Sequence, residues 1–435
     1  MRKTTRARPR SASSSSRSRR SRKHRRIDVL LPRRRIRDLA RSTGFSQRTA
    51  RKCPPVAFLV TLVFGFGVEV KRSMAALTRF FTTVTKESLA RSAFQKKFSA
   101  ASVAFLRAVF VEATARAAAS LGTDLGGKLR RFRDISVFDA TVVRLHRFLS
   151  DRFAGCRTNH SPAAVKLQTV LCLSNRVVSE LAITAGRVSD ADFAKRFQVT
   201  AGQLLLFDLG YYASAFFKHV DAMGAFFVSR LKDNADPYIV KVRRGIARGC
   251  ATKGKRLKDL EFAWERPIDL DVRLTLDGPV FRVVGMWNAE KACWHLYVTN
   301  LPPRAFSIEE IALAYRMRWE VELLFKELKS TCRLDQVNTR REEVVLSLFY
   351  SSLLSLLVSR TLARAIEAQN VQAGLKLSYR IVTSYLIQQA TALAMAVFRG
   401  GRSLVSRLYQ VTDDIARTCR DPNPQRPSAL VRLCR

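Results

Sequence analysis

The feature that most constrains this chain is a change of hydrophobic period at Gly126-Gly127. Upstream, apolar residues recur at helical spacing among helix formers, as in SLARSAFQKKF and VAFLRAVFVEATARAAAS, which predicts an α-helical N-terminal domain over 36–128. Downstream, short β-type runs follow in order: ISVFD (135–139), VKLQTVLCL (165–173) and VVSELAI (177–183). A helix over 189–197 comes next, then LLLFD (204–208), a helical SAFFKHVDAMG (214–224) and AFFVSRL (225–231). A chain written this way is α/β.

Three strands, a helix, a strand, a helix and a strand is the order of a ribonuclease H-like sheet, and the acids fall where such a sheet would use them. Asp139 closes the first run and Asp208 the fourth. A charged residue directly after an apolar strand emerges at the carboxyl edge of the sheet, where active sites of α/β folds gather. Capping of the next turn explains either Asp alone, and the pair in this strand order points to a shared site. Asp134 is a poorer candidate, because it precedes its strand.

The run YRMRWEVELLFKELKS (315–330) supplies the third acid. Read as one helix, it places Tyr315, Arg318, Glu322 and Lys329 at about 0°, −60°, −20° and −40°, on one narrow face, with Lys326 at about 20°. Leu313, Met317, Val321, Leu324 and Leu328 cluster near roughly 200° and would pack the helix onto a core. Glu322 follows Asp208 by 114 positions, too many for a bare core. A β-rich insertion is therefore expected over 233–308, with FRVVGMW (281–287) and WHLYVTN (294–300) among its strands.

The spacing Y-x2-R-x3-E-x6-K resembles the YREK motif of cut-and-paste insertion-sequence transposases of the DDE class. FDLGYY around Asp208 and FFVSRLK at the fifth strand read as that family's other blocks, and the resemblance covers roughly 30–400. It implies Asp139, Asp208 and Glu322 as catalytic, metal-binding carboxylates. All-oxygen ligands favour Mg²⁺ or Mn²⁺, and two such ions serve in-line phosphodiester cleavage and strand transfer. The resemblance further implies DNA contacts by Tyr315, Arg318 and Lys329, with Lys326 a further candidate. Trp294 is a base-stacking candidate from the insertion, with strand core as its alternative. The implied partners are double-stranded DNA, as terminal inverted repeats and target, and a second copy of the chain. A catalytically decayed relative that only binds DNA is the alternative, and the three intact acids argue against it.

Charge agrees with a polyanionic partner. The chain carries 77 Lys and Arg against 35 Asp and Glu, a net +42, which excludes an ordinary neutral metabolic enzyme. Residues 1–52 hold 20 of these cations against two acids, and Ser11–Arg26 has almost no apolar residues, so a disordered basic tail is expected over 1–35. Between Ile36 and Lys52, Gly44 as a turn and Ser46 opening a second basic helix weakly suggest a helix-turn-helix. Segment 240–258 carries eight cations and no acid, a DNA clamp or a solvated loop. The expected plan continues with core over 129–232 and 309–400 around the insertion, and a tail over 401–435. Eight cysteines without a C-x-x-C pair argue against zinc or disulfides. The apolar runs 56–68 and 344–358 fall short of the roughly 20 residues of a bilayer span and read as buried helices. No membrane association and a prokaryotic cytoplasmic, nucleoid-associated location are expected.

Overall fold

The computed structural model describes residues 32–47, 52–65, 73–121, 125–156, 161–245, 254–260, 266–334, 339–425 and 428–434. The Ser/Arg run, residues 48–51 of the helix-turn-helix candidate and residues 246–253 of the basic segment lie outside them. In chain order come helices α1 (Arg33–Ser42), α2 (Pro55–Gly65), α3 (Met74–Thr85), α4 (Arg91–Gln95) and α5 (Ala100–Leu121). They are followed by β1 (Asp134–Arg144), β2 (Ala164–Cys172), β3 (Val177–Ala185), α6 (Asp190–Ala194), β4 (Gln203–Phe207), α7 (Ser214–Ala222) and β5 (Phe226–Arg230). Next are β6 (Tyr238–Arg244), β7 (Ile268–Arg273), β8 (Val280–Asn288), β9 (Cys293–Thr299), α8 (Ile308–Arg316) and α9 (Trp319–Ser330). The chain closes with α10 (Glu342–Gln369), α11 (Tyr379–Gln388), α12 (Ala390–Arg399), α13 (Gly401–Thr418) and α14 (Ala429–Cys434).

Two compact units divide these elements: Met1–Ala117 with Leu346–Arg420, and Ala118–Val345 with Asp421–Arg435. The sequence reading assigned 309–400 to the sheet core, whereas residues from Leu346 cluster with the N-terminal helices, because apolar helical text carries no mark of which helices it will meet. The first unit is helical and packs on phenylalanines. Phe58, Phe94, Phe98 and Phe105 are fully buried, and Phe45 stacks on Phe105 at 4.9 Å between ring centres. Gly44 ends α1 with φ +72°, a left-handed turn. The second basic helix expected from Ser46 runs into residues outside those described, and the next described helix is α2, PVAFLVTLVFG, nearly all buried. Helix α10 is long and apolar enough by composition to cross a bilayer, but 83% of that stretch is buried inside the protein.

The second unit is one nine-stranded mixed sheet with helices, in the order β3-β2-β1-β4-β5-β9-β8-β7-β6. β1, β4 and β5 are parallel neighbours, and the remaining pairs are antiparallel. Strands β6–β9 continue the same sheet, because β9 pairs with β5 through Val228–Thr299. Phe138, Phe207, Phe217 and Phe227 are fully buried, with Phe138 on Phe207 at 4.8 Å and Phe217 on Phe227 at 4.5 Å. Each such ring contributes about 1.5–3 kcal/mol by leaving water. These rings anchor the parallel strands and hold their carboxyl edge in place.

Candidate active site

Phe138 on β1 is in register with Phe207 on β4. Strand β4 stops there, so Asp139 and Asp208 are the next residues of parallel neighbours, which run about 4.8 Å apart. Asp208 leaves the sheet as expected. Asp139 does not end its strand: β1 continues to Arg144, because β2 goes on pairing with it as far as Ala164. What ends after Phe138 is the pairing with β4, and that one-sided stretch exposes the Asp139 side chain. Asp134 begins β1 and its carboxylate accepts from Ser136, Cys172 and Ser174, a structural role.

The run 315–330, expected as one helix, is two. Helix α8 opens with Ser307 and Glu310 bonding each other's backbone N–H groups. After Arg316 the backbone tightens: Met317 N–H donates to Ala314 O, Arg318 N–H to Tyr315 O and Val321 N–H to Arg318 O, an i to i+3 pattern of 3₁₀ type. Over so few residues the helical wheel needs little revision, and Tyr315, Arg318 and Glu322 still share a side. Helix α9 packs against β1 through its apolar face and so brings Glu322 toward Asp139.

Arg318 is the centre of the arrangement. Its guanidinium donates to Asp139 Oδ2 at 3.0 Å and to Glu322 Oε1 at 2.5 Å, and its Nε lies 3.9 Å from Asp208 Oδ1. The Tyr315 hydroxyl donates to Asp208 Oδ1 at 3.3 Å. Burial works against the Arg318 charge, but Tyr315, Asp208, Asp139 and Glu322 together outweigh it and raise its pKa. Burial likewise pushes Asp139 up to about 6, helped by Asp208 and Glu322, against the pull of Arg318 and the Ala140 amide. Tyr315 is pushed up to about 12, mainly by burial, so it stays a hydrogen-bond donor at neutral pH.

These carboxylates offer hard oxygen donors, the set suited to Mg²⁺ or Mn²⁺. They converge on one positive group, and burial raises Asp139 in spite of the pull of that group. Among the described residues no three such side chains stand close enough together to hold a metal ion as they are, because Arg318 occupies the space between them. Its Nε is buried without a hydrogen-bond acceptor. The donor chemistry therefore fits a divalent cation once Arg318 turns aside.

A groove of about 1050 Å³ adjoins the site, lined by Arg230, Trp287, His295, Tyr315, Arg318 and Trp319 among others. Trp294, the expected stacking residue, does not line it; Trp287, packed edge-on against Trp294 at 5.6 Å, does. Lys326 is exposed and Lys329 half-buried farther along α9, and neither lines this groove. Sequence reasoning missed Trp319, which is 60% exposed. The signal was available, since it falls at about 40° on the helical wheel, a large apolar side chain on the polar face.

A family model described as "Transposase DDE domain" matches residues 130–358, just over half of the chain. The chain belongs to the DDE transposase family. This DDE transposase is 22% identical to the transposase for insertion sequence element IS1151 of Clostridium perfringens, over 84% of this chain and 85% of that protein. It is 24% identical to the transposase for insertion sequence element IS231E of Bacillus thuringiensis subsp. finitimus, over 75% and 77%. A solved piggyBac transposase synaptic complex with hairpin DNA is similar at a TM-score of 0.49 and 12% identity, over 90% of this chain and 84% of that one. The protein is a DNA transposase, an enzyme of DNA cleavage and strand transfer.

Proposed function

We propose that this DDE transposase cuts DNA at the terminal inverted repeats of its own element and joins the freed ends to a target, using Asp139, Asp208 and Glu322. The observation that carries the reading is the meeting of these three acids, from a strand, a strand end and a helix 114 positions later, around one guanidinium at the edge of a parallel sheet. Three carboxylates gathered this way repel one another unless positive charge joins them. The strand order, with β4 and β5 parallel to β1 and β2 and β3 antiparallel on its other side, supports a ribonuclease H-like core, with β6–β9 as its insertion.

The three acids would hold two Mg²⁺ or Mn²⁺ ions, whose chemistry is to activate a water or a 3′-hydroxyl and to stabilise the leaving oxygen. The chain's own residues bind and orient the DNA around them. Arg318, released from the carboxylates, has a free fork for a phosphate. Tyr315 keeps its proton and donates near the scissile bond. Lys326 and Lys329 extend the positive track along α9. Trp287 and Trp319 offer stacking faces in the groove, and Trp294 supports Trp287 from behind. The basic segment 240–258 and the helical unit hold the duplex, and two copies of the chain pair the two ends in the bacterial cytoplasm. The test is Glu322→Gln, a near-isosteric change. Cleavage of DNA carrying the element's ends should be lost while a gel shift persists, and retained cleavage would refute the assignment.

A further inference from the structure

Asp208 is held by little of its own bonding: its carboxylate meets Tyr315 at 3.3 Å and Arg318 at 3.9 Å. Its position is therefore set by the backbone turn that follows it. That turn is a single 3₁₀ turn, Leu209–Tyr211, closed by Tyr211 N–H donating to Asp208 O at 3.0 Å. What fixes the turn is a buried polar chain. The hydroxyl of Tyr211, 1% exposed, donates to Gln168 Oε1 at 2.6 Å. The Gln168 amide, fully buried, donates to Asp190 Oδ1 at 2.8 Å. Lys166 Nζ donates to the same oxygen at 2.9 Å and to Val188 O at 2.8 Å. The other carboxylate oxygen, Asp190 Oδ2, lies 2.5 Å from where a Cβ on Gly210 would sit. A Cβ there would force the Asp190 carboxylate to shift.

The chain of bonds runs between the two strand-borne acids. Lys166 and Gln168 lie on β2, where Gln168 is in register with Ala140, the residue after Asp139. Tyr211 packs on Phe138, the residue before Asp139, at 5.9 Å. Asp190 opens α6 and holds Lys166 and Gln168 together, and Gln168 is the link to Tyr211. Apolar residues at 168 and 211 would fill the same space without burying polar groups that must be matched bond for bond. The arrangement gives up that simplicity for directional bonds, which fix a geometry that apolar packing leaves adjustable.

We propose that Asp190, Gln168 and Tyr211, with Gly210 as the gap that admits Asp190, are positioning residues that set Asp208 against Asp139. None of them touches the reacting atoms. The proposal rests on Asp208 being catalytic, and Asp208→Asn tests that separately. The decisive variants are Tyr211→Phe, which deletes one hydroxyl, and Gly210→Ala, alone and combined with Asp190→Ala. Each full-length protein is compared for DNA-end binding by gel shift, for melting, for Mn²⁺ binding by calorimetry and for Mn²⁺-dependent nicking.

Displacements near 1 Å at a reacting centre cost up to about 100-fold in rate. Tyr211→Phe should keep its gel shift, lose at least fivefold in nicking rate and need at least threefold more Mn²⁺ to bind. Gly210→Ala should lose more, but lose little further once Asp190→Ala has removed the carboxylate it strikes. Should Gly210→Ala not fold, Tyr211→Phe alone decides. A Tyr211→Phe protein that melts lower yet matches the parent in Mn²⁺ affinity and nicking rate would overturn the proposal, leaving the chain of bonds as packing. If Asp208→Asn still nicks, the catalytic assignment of Asp208 fails first.

Discussion

Replacing Asp139 by Asn should stabilise the metal-free transposase at neutral pH while abolishing cleavage. The carboxyl group is buried to 14% side-chain exposure and its pKa is pushed up from 3.8 to about 6. At about 1.4 kcal/mol per pH unit, that interval corresponds to about 3 kcal/mol. A raised folded-state value means the unfolded chain ionises this group more easily. Its contribution to stability is therefore complete below pH 3.8, is lost as pH rises through 6, and leaves the ionised form a net burden above that. Asn copies the shape of the neutral acid and carries no such burden. The variant should match the parent near pH 4 and exceed it by up to about 3 kcal/mol at pH 8, or roughly 6–12 °C in melting temperature for a unit of this size. Thermal melts of both proteins between pH 4 and 8, with chelator, measure it. Taking the difference between the two cancels the carboxylates remote from Asp139. Added Mn²⁺ should close the gap by stabilising the parent alone. A variant no more stable than the parent at pH 8 in chelator would refute the reasoning.

Further outcomes follow from other parts of the molecule. Arg282, 4% exposed, pairs its Nε and Nη2 with Asp269 at 2.8 Å and donates from Nη1 to Phe306 O. Arg282→Leu should destabilise the sheet unit by about 3–5 kcal/mol by orphaning Asp269, and adding Asp269→Leu should recover much of it, as urea melts would register. Trp319→Ala, at a side chain 60% exposed, should change stability by less than about 0.5 kcal/mol yet weaken DNA-end binding on the order of tenfold if the ring stacks on DNA. An unchanged gel shift would remove Trp319 from the DNA surface. Glu322→Gln, with cleavage lost and binding kept, completes the set.

Local text carried a good deal of this molecule. Strand β4 was legible because LLLF is a short apolar run with an acid directly behind it, and burial begins and ends where that pattern does. Glu322, Arg318 and Tyr315 were legible as one face because helical spacing is a local property that a single tight turn at Met317 barely disturbs. Trp319 stood on the same face, overlooked because an aromatic in an amphipathic run reads as core.

What depends on partners far away in sequence was decided only by the tertiary structure. The length of β1 beyond Asp139 is set by β2, which keeps pairing after β4 has stopped. Joining β5 to β9 needs about 70 intervening residues to return to the same edge, and no local pattern encodes that closure. The choice of Trp287 over Trp294 at the groove is not one of sheet face, since the two are register partners on the same side of the hairpin; Trp294 packs against the sheet core instead. The place of Arg318 was likewise unreadable from spacing. The sequence marks it as a cation beside acids, and only folding brings Asp139 and Asp208 to it, where three carboxylates crowded into partial burial bind the nearest positive charge more strongly than water does. The sequence alone determined which residues are candidates for the chemistry; long-range strand pairing, which no local period can express, decided where they meet.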